Sequence, residues 1–281
     1  MNLKVIKQHK ISVVMSVYKN DNVSFFEDAI DSLLEQSYLP SEIIVVVDGA
    51  VSIEIENLLR QYETNEIFKI IRLQQNKGLA NALNIGICQA SYEFVARMDS
   101  DDICFKNRFE KQIEFIVKEN LDIVGSQIIE FGNDINDIVS IRKVPLEHNE
   151  MVNFMKLRSP FSHPTILFRK EVYSVLNGYD VQIFPEDYDF FVRAYLEGFK
   201  FGNVNDSLLW FRLGADRSKA IKRRWGLDYA KNEMKLYRKF LNLGFFSYSE
   251  FFKVVCFKIP LRVLPFSLYK LIYFKVLRNN N

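Results

Sequence analysis

The sequence predicts an α/β protein with a parallel, doubly wound β-sheet. Two observations predict this class. Short runs of β-branched residues alternate with stretches of helical periodicity over the first 131 residues, which is the order typical of parallel sheets joined by crossover helices. The predicted strands are also apolar almost throughout, as strands covered on both faces are. We therefore expect ligands at the carboxyl ends of these strands.

The predicted elements follow in a regular order. ISVVMSV at 11–17 is a short β-branched run bounded by polar residues, and apolar residues recur at helical spacing across 22–37 before Pro40. By the same criteria we predict strands at 42–47, 68–73, 92–98 and 122–131, and helices at about 51–63, 76–89 and 106–119.

The regular alternation ends after about residue 132. Residues 159–168 carry β-branched and aromatic residues after two prolines and are predicted as a strand. Pro185 opens a strongly amphipathic helix that begins with Glu186 and Asp187. The sequence shows no internal repeat and no low-complexity linker, so we expect both halves to share one fold.

The formal net charge of +2 conceals an asymmetry. Residues 217–281 contain fifteen Lys and Arg against three acids, whereas residues 1–216 contain 22 bases and 32 acids. A basic tail on an acidic body indicates an anionic partner for the tail. The three cysteines are widely separated and lack metal-site spacing, which argues against a disulfide framework or zinc site and is typical of a reducing cytosol.

Acidic residues stand directly after two of the predicted strands. Asp48 follows the strand at 42–47, and the run Asp99-Ser100-Asp101-Asp102 follows the strand at 92–98. Three carboxylates within four residues repel one another unless a cation or hydrogen-bond donors neutralise them. Carboxylate oxygens are ligands that Mg²⁺ and Mn²⁺ favour, with phosphates completing the shell. The run therefore predicts a metal–phosphate site at the carboxyl edge of the sheet.

A set of seven motifs in order carries a family resemblance over roughly residues 11–213. The motifs are ISVVMSVYKN, EIIVVVDG, NKGLANALNIGI, ARMDSDDI with RFEKQIEFI, DIVGSQIIEF, SHPTILFRK and PEDYDFFVRAYLEG. Together they resemble the large inverting glycosyltransferase family 2, and within it the bacterial enzymes of capsule, exopolysaccharide and O-antigen synthesis. The resemblance implies the GT-A fold and transfer of a hexose, with UDP as the expected nucleotide, to a saccharide or lipid-linked acceptor.

The resemblance also implies roles for individual residues. Val17 and Tyr18 would hold the nucleotide base by backbone contacts and stacking, and Asp48 would accept a hydrogen bond from it. Asp99 would contact the ribose. Asp101 would coordinate Mn²⁺ or Mg²⁺ on the diphosphate.

The general base implied by the resemblance is Asp187, with Glu186 as the alternative. A carboxylate that takes the proton of the acceptor hydroxyl opposite the leaving group gives inversion without a second nucleophile. The expected organisation is a GT-A domain at 1–216, with a nucleotide-binding half at 1–131 and an acceptor half at 132–216. A C-terminal helical extension would occupy 217–281.

Two positions depart from the family pattern. Leu83-Asn84 stands where many members have Arg-Asn, and Leu213-Gly214 stands where many have a histidine. We expect Arg212 or Arg217 to supply the missing positive charge. His163 is open to two interpretations, a structural hydrogen bond or an acceptor-site role.

The tail at 251–278 mixes large apolar residues with six bases. It lacks the charge-free stretch of roughly 20 residues that a spanning helix needs, but it suits the interface of an anionic membrane. The alternative is a helical pair packed on the domain or on a partner. Nucleic acid is not expected, and the protein is expected in the cytoplasm, peripheral on the inner face of the plasma membrane.

Two other functions fit parts of the sequence. A sugar-nucleotide pyrophosphorylase would carry a glycine-rich, basic phosphate loop after the first strand, where this chain has SVYKNDNV. A non-catalytic, membrane-bound assembly subunit would keep the fold and lose the acidic motifs, which are intact here.

Overall fold

The computed structural model describes residues 9–214 and 222–272. Its strands are β1 (Ile11–Val17), β2 (Glu42–Val47), β3 (Phe68–Arg72), β4 (Phe94–Met98), β5 (Ile103–Cys104), β6 (Ile123–Phe131), β7 (Ile138–Arg142), β8 (Leu167–Arg169) and β9 (Phe201–Arg212). Its helices are α1 (Val23–Leu34), α2 (Ile53–Tyr62), α3 (Leu79–Cys88), α4 (Arg108–Lys118), α5 (His148–Met155), α6 (Lys170–Leu176), α7 (Glu186–Leu196), α8 (Leu227–Asn242), α9 (Tyr248–Val263) and α10 (Phe266–Ile272).

The strands form one mixed sheet in the order β3-β2-β1-β4-β8-β6-β9-β5, with β7 paired to β6. The strands β1 to β4 run parallel to one another, and β6 and β9 run parallel to each other. The short strands β5, β7 and β8 are antiparallel. The expected mostly parallel sheet flanked by helices is thus confirmed, while the antiparallel strands that extend it were not predicted.

The predicted strand at 159–168 is wrong over most of its length. A 3₁₀ turn occupies His163–Thr165, and a strand begins only at Leu167. The turn is closed by the Thr165 N–H, which donates to the Ser162 carbonyl at 2.9 Å. Pro164 lacks an N–H and has a fixed φ, so it suits the start of a helical turn better than the interior of a strand.

The core lies on both faces of the sheet because successive side chains of a strand point to opposite sides. On β1, Val13 packs in the layer of α1, α2 and α4, whereas Val14 packs in the layer of α3, α7 and α8. Both valines are fully buried. Burial of each such side chain contributes about 1.5–3 kcal/mol, which explains why these strands are apolar along their whole length.

Helix α3 lies unusually close to the sheet at Gly86. A Cβ at this position would lie 2.5 Å from Cγ1 of Val14 and 3.2 Å from Cγ2 of Val46. The glycine therefore allows the helix to approach β1 and β2, and this approach sets where the N-terminus of α3 meets the carboxyl end of β2.

The C-terminal helices pack against one another around a buried ion pair. Glu233 on α8 accepts from Nε and Nη2 of Arg262 on α9, at 2.8 and 2.9 Å. Ser247 and Glu250 form a capping box at the start of α9, which satisfies two backbone donors. Across residues 9–214 and 222–272, none of the helices has the length and apolar character needed to cross a membrane.

The strand β9 ties the later part of the chain to the earlier part. It pairs in parallel with β6 from Ile123 to Phe131, so residues on both sides of position 131 contribute to the same sheet. Residues 217–221, where the extension was predicted to begin, lie outside the described residues. The domain boundaries therefore stay a prediction.

Candidate active site

The ends of β1, β2 and β4 lie side by side at one edge of the sheet. Val17 pairs with Val47, and Met15 pairs with Met98, in parallel registers. The segments that follow these strands therefore emerge at the same edge, which is where a parallel sheet places ligands.

Asp48 is buried at this edge and binds the two residues that precede α3. Its Oδ1 accepts from the Lys77 N–H at 2.7 Å, and its Oδ2 accepts from the Gly78 N–H at 2.9 Å. The side chain of Asn76 donates to the Asp48 carbonyl at 3.1 Å. These bonds satisfy donors that a helix N-terminus leaves unpaired. The carboxylate thus fixes the loop beside the expected nucleotide site, and its contact with a base remains a prediction.

The loop after β1 adds a carboxylate that sequence reasoning missed. Oδ2 of Asp21 accepts from the Tyr18 N–H at 3.0 Å and from the Ser100 hydroxyl at 2.9 Å. Burial raises the pKa of Asp21, and the negative charge of Asp99 adds to the rise. Asp21 therefore joins the loop that carries Tyr18 to the acidic run after β4.

Asp99 is held by a buried arginine on β4. Nη1 of Arg97 donates to Oδ2 of Asp99 at 2.7 Å, and Nη2 donates to Oδ1, which makes a bidentate pair. Burial alone would lower the pKa of Arg97, but Asp99, Tyr179 and Asp102 raise it above its usual value. Arg97 thus stays charged and orients Asp99 before any ligand binds.

The acidic run forms a compact cluster of possible metal ligands. One carboxylate oxygen from each of Asp99, Asp101 and Asp102 lies within 4.8 Å of the others. Loss of solvation in the cleft raises the pKa of Asp101 to about 7, and the charges of Asp99 and Asp21 add to this. Asp101 nevertheless remains open to solvent, so it is the member of the cluster that a ligand reaches most directly.

Asp102 is the buried member of the cluster. Its Oδ1 accepts from the Arg212 N–H at 2.9 Å, and its Oδ2 accepts no hydrogen bond from the described residues. Burial, together with Asp101 and Asp99, raises the pKa of Asp102 well above its usual range. A buried, unpartnered carboxylate oxygen is costly unless a cation or a proton satisfies it.

Arg212 anchors the acidic run from the end of β9. Its Nε donates to the Asp101 carbonyl at 2.8 Å, its Nη1 to the Asn133 carbonyl at 2.7 Å, and its Nη2 to Asp28 at 3.0 Å. The guanidinium also lies 3.9 Å from the ring centroid of Phe25. These contacts hold Arg212 against the acidic run, and its charge lowers the pKa of Asp101. Its substitution for the absent histidine stays a prediction. Arg217 lies outside the described residues.

Glu186 and Asp187 form the first turn of α7. Burial raises the pKa of Glu186 to about 7, and the charge of Asp187 adds to this. Burial also raises the pKa of Asp187. Hydrogen bonds from backbone N–H groups of its own helix oppose this rise, as do the charges of Arg224 and Arg97. The helix N-terminus favours a negative charge at both positions.

Arg97 links the acidic run to the start of α7. It binds Asp99 directly, and its charge lowers the pKa of both Glu186 and Asp187. The charge of Asp99 in turn raises the pKa of Glu186. The structure therefore brings the two sequence-predicted carboxylate groups around one buried cation, although 84 residues separate Asp101 from the helix.

Hydrogen bonds among His163, Tyr179 and Asn84 support this arrangement. Nε2 of His163 lies 3.0 Å from the Tyr179 hydroxyl, and burial together with Arg97 lowers the pKa of His163 well below its usual value. Asn84 bonds the backbone of Tyr179 in both directions, at 2.8 and 2.9 Å, while Leu83 is buried in the core. These contacts favour the structural interpretation of His163.

A basic residue near Asp187 comes from the segment before α8. Arg224 is exposed, and its charge lowers the pKa of Asp187. Its carbonyl accepts from Nη1 of Arg262 at 3.0 Å and from the Tyr269 hydroxyl at 3.2 Å. The C-terminal helices thus fix a cation beside the predicted base.

Sequence reasoning missed Arg97, Asp21 and Arg224. A signal existed for Arg97, because an arginine within an otherwise apolar strand needs a buried counter-charge and the acidic run follows two residues later. Asp21 also stands in the loop after a predicted strand. Arg224 has no comparable signal in the sequence, since its position depends on how α8 and α9 pack.

Comparisons with known proteins find related sequences and a shared fold. Residues 12–176 match the family model described as "Glycosyl transferase family 2". The chain is 36% identical over 96% of its length to an uncharacterised glycosyltransferase of Haemophilus influenzae, of which the match covers 99%. It is 33% identical to UDP-Gal:alpha-D-GlcNAc-diphosphoundecaprenol beta-1,3-galactosyltransferase of Escherichia coli, over 96% of this chain and 97% of that protein.

A solved structure shares the fold. The mannosyltransferase PcManGT of Pyrobaculum calidifontis, solved with GDP-Man and Mn²⁺, superposes with a TM-score of 0.66 at 15% identity. The match covers 95% of this chain and 76% of that one. At this identity the likeness concerns the fold, and it includes the sheet and the C-terminal part of the described chain.

Proposed function

Since the chain belongs to glycosyl transferase family 2, we propose that it is a metal-dependent, inverting hexosyltransferase with the GT-A fold. Its donor would be a UDP-sugar and its acceptor a saccharide or lipid-linked sugar of bacterial surface polysaccharide synthesis. The galactosyltransferase relative carries both a UDP-sugar and a diphosphoundecaprenol-linked acceptor in its name, which supports these two choices.

One observation carries the proposal. The acidic cluster after β4 and the carboxylates at the start of α7 lie around the same buried Arg97. The reaction needs charge stabilisation at the departing diphosphate and a base at the attacking hydroxyl. An acidic ligand group and a separate carboxylate that both interact with one cation meet both needs.

The acidic cluster fits a divalent cation. The unpartnered, buried Oδ2 of Asp102 and the three oxygens within 4.8 Å are the kind of hard ligand set that Mg²⁺ and Mn²⁺ take. We propose that Asp101 holds the ion with Asp102 beside it. When bound, such an ion neutralises charge on the diphosphate.

The other residues bind the nucleotide and orient the acceptor. Val17 and Tyr18, at the end of β1, contact the base, and Asp48 accepts a hydrogen bond from it. Asp99, already oriented by its pair with Arg97, accepts from the ribose hydroxyls.

We propose Asp187 as the base that takes the proton of the acceptor hydroxyl. Its side chain is partly exposed whereas that of Glu186 is buried, which suits contact with an incoming acceptor. Its charge and that of Arg224 lie close enough to affect each other. Arg224 would therefore face the reacting groups from the side of α8.

We also propose that the tail at 251–278 contacts the membrane surface, which would place the protein in the cytoplasm at the inner face of the plasma membrane. Large apolar side chains on α9 and α10 are exposed, among them Phe252 at 68% and Leu271 at 51%. Lysines accompany them, which suits an anionic leaflet. Residues 273–278 lie outside the described chain.

Titration of UDP by calorimetry, with and without Mn²⁺, tests the proposed nucleotide and metal binding. We expect binding that depends on the metal and a product detected by mass spectrometry when UDP-sugars are screened with a lipid-linked acceptor. Nucleotide binding without any transfer across the donor screen would instead favour the non-catalytic assembly subunit. Binding that does not respond to metal would remove the metal from the proposal.

A further inference from the structure

A shallow groove of about 490 Å³ runs along α9, outside the residues placed in the reaction. Its volume lies in the range of small-molecule sites, about 300–1,000 Å³. The groove is lined by Leu157, Lys253, Val254, Cys256, Phe257 and Lys258. Its floor is apolar, and its charged groups are lysines.

The apolar side chains of the groove are open to solvent. Leu157, just after α5, is 56% exposed, and Phe257 on α9 is 57% exposed. Apolar surface in water costs about 25 cal/mol per Å² relative to burial, so an apolar chain laid between these two side chains would be stabilised. The groove therefore suits a ligand with an extended hydrocarbon part.

The lysines suit an anionic head on that ligand. Lys253 is exposed, while Nζ of Lys258 donates to the Leu157 carbonyl. Burial lowers the pKa of Lys258 to about 8, and a phosphate nearby would favour its charged form. The combination of apolar floor and cationic rim matches an amphiphile with one or more phosphates.

Contacts among basic residues link the groove to the proposed base. Lys258 and Arg262 are four residues apart on α9, which places them on one face about 6 Å apart along the axis. Arg262 donates to the carbonyl of Arg224 at 3.0 Å, and the charge of Arg224 acts on Asp187. Arg262 itself is paired with Glu233, so the positive charges along this path are Lys258 at the groove and Arg224, whose charge acts on Asp187.

We propose that this groove binds the isoprenoid chain of a lipid-linked acceptor, an inference that rests on the proposed function. The diphosphate of the acceptor lies between Lys258 and Arg224, and its sugar reaches Asp187. The groove thereby recognises the lipid itself, separately from the contact of the exposed apolar residues with a bilayer.

The test uses farnesyl diphosphate, which has an isoprenoid chain and a diphosphate, in calorimetric titrations of the full chain in EDTA. We expect Phe257→Ser to weaken its affinity by about tenfold, on the scale of partial burial of one aromatic side chain. The matched control is Phe252→Ser, because Phe252 is on the same helix, is 68% exposed and does not line the groove. Inorganic diphosphate should bind more weakly than farnesyl diphosphate and equally to all three proteins.

The outcomes separate the possible occupants. Equal affinity of the two variants for farnesyl diphosphate, or wild-type affinity no higher than for inorganic diphosphate, overturns the proposal. A change of oligomeric state in Phe257→Ser with unchanged farnesyl diphosphate affinity would assign the groove to a second copy and also overturn it. Since the titration needs neither donor nor transfer, Phe257-dependent binding without transfer activity would contradict the proposed function and leave the groove assignment standing.

Discussion

Glu186→Gln should make the protein more stable, and the gain should grow with pH. Burial raises the pKa of Glu186 from 4.5 to about 7, so ionisation is less favourable in the folded state than in the unfolded chain. Below pH 4.5 the Glu186 carboxyl is neutral in both states, and the folded state has its full free energy of unfolding. This free energy falls as pH rises through 7, because the unfolded chain ionises more easily than the folded one. At 1.36 kcal/mol per pH unit, the loss reaches about 3 kcal/mol.

Glutamine cannot ionise, so the variant avoids this loss. Urea unfolding of wild type and Glu186→Gln in EDTA, at pH 5 and pH 8.5, should show the difference in unfolding free energy grow by about 2 kcal/mol over that range. Glu197→Gln, at the exposed C-terminal end of the same helix, is the control and should give a difference that does not change with pH. A pH-independent difference for Glu186→Gln would refute the reasoning.

The same variant separates the two candidates for the base. If Asp187 takes the proton, Asp187→Asn should lower the transfer rate at saturating donor by about 10²–10⁴-fold and leave donor binding intact. Glu186→Gln should then lower the transfer rate by a smaller factor. Asn keeps the shape of Asp187 and its reach to the backbone N–H groups of its own helix, so a merely structural Asp187 predicts a near-normal rate for Asp187→Asn. A collapsed rate for Glu186→Gln beside a near-normal Asp187→Asn would assign the base to Glu186.

Three other changes test the surrounding site. Asp101→Ala should lower transfer by at least about 10²–10³-fold with an unchanged thermal melt, and full wild-type activity in EDTA would contradict the metal assignment. Arg97→Lys keeps the charge but loses the fork to Asp99, so calorimetry should show donor affinity about tenfold weaker; unchanged affinity would mean that the pair does not orient Asp99 for binding. Tyr248→Ser with Phe252→Ser should reduce sedimentation with anionic vesicles, and wild-type binding should weaken with salt; equal sedimentation would place membrane contact elsewhere.

Much of the sheet could be predicted because its strands are buried on both faces. The bounds of β1 and β2 agree with the predicted ranges, since their apolar runs end sharply at polar or acidic residues. The strand at 159–168 was mispredicted because its β-branched residues follow prolines that favour a turn. The strand β5 has only two residues, and none of the residues of β7 is buried, so both lack the buried apolar run on which the prediction depended.

The site was predictable where chemistry is local in the sequence and not where packing creates it. The acidic run after β4 is recognisable because its carboxylates are adjacent. That the charge of Arg97 acts on both this run and α7 depends on tertiary packing, including the pairing of β4 with β8. The commitment of Arg212 to backbone carbonyls likewise depends on where β9 ends. Such contacts join residues that are distant in the chain and that no spacing rule connects.

The close approach of α3 at Gly86 has a consequence for how related sequences vary. Because Val14 and Val46 occupy the space where a Cβ would lie, a relative with alanine at position 86 needs smaller side chains at one or both of these strand positions to keep the same approach. Without that compensation α3 would shift outward, and Asp48 would lose its bonds to the Lys77 and Gly78 amides. Positions 14, 46 and 86 should therefore covary in side-chain volume across relatives that keep an aspartate at position 48.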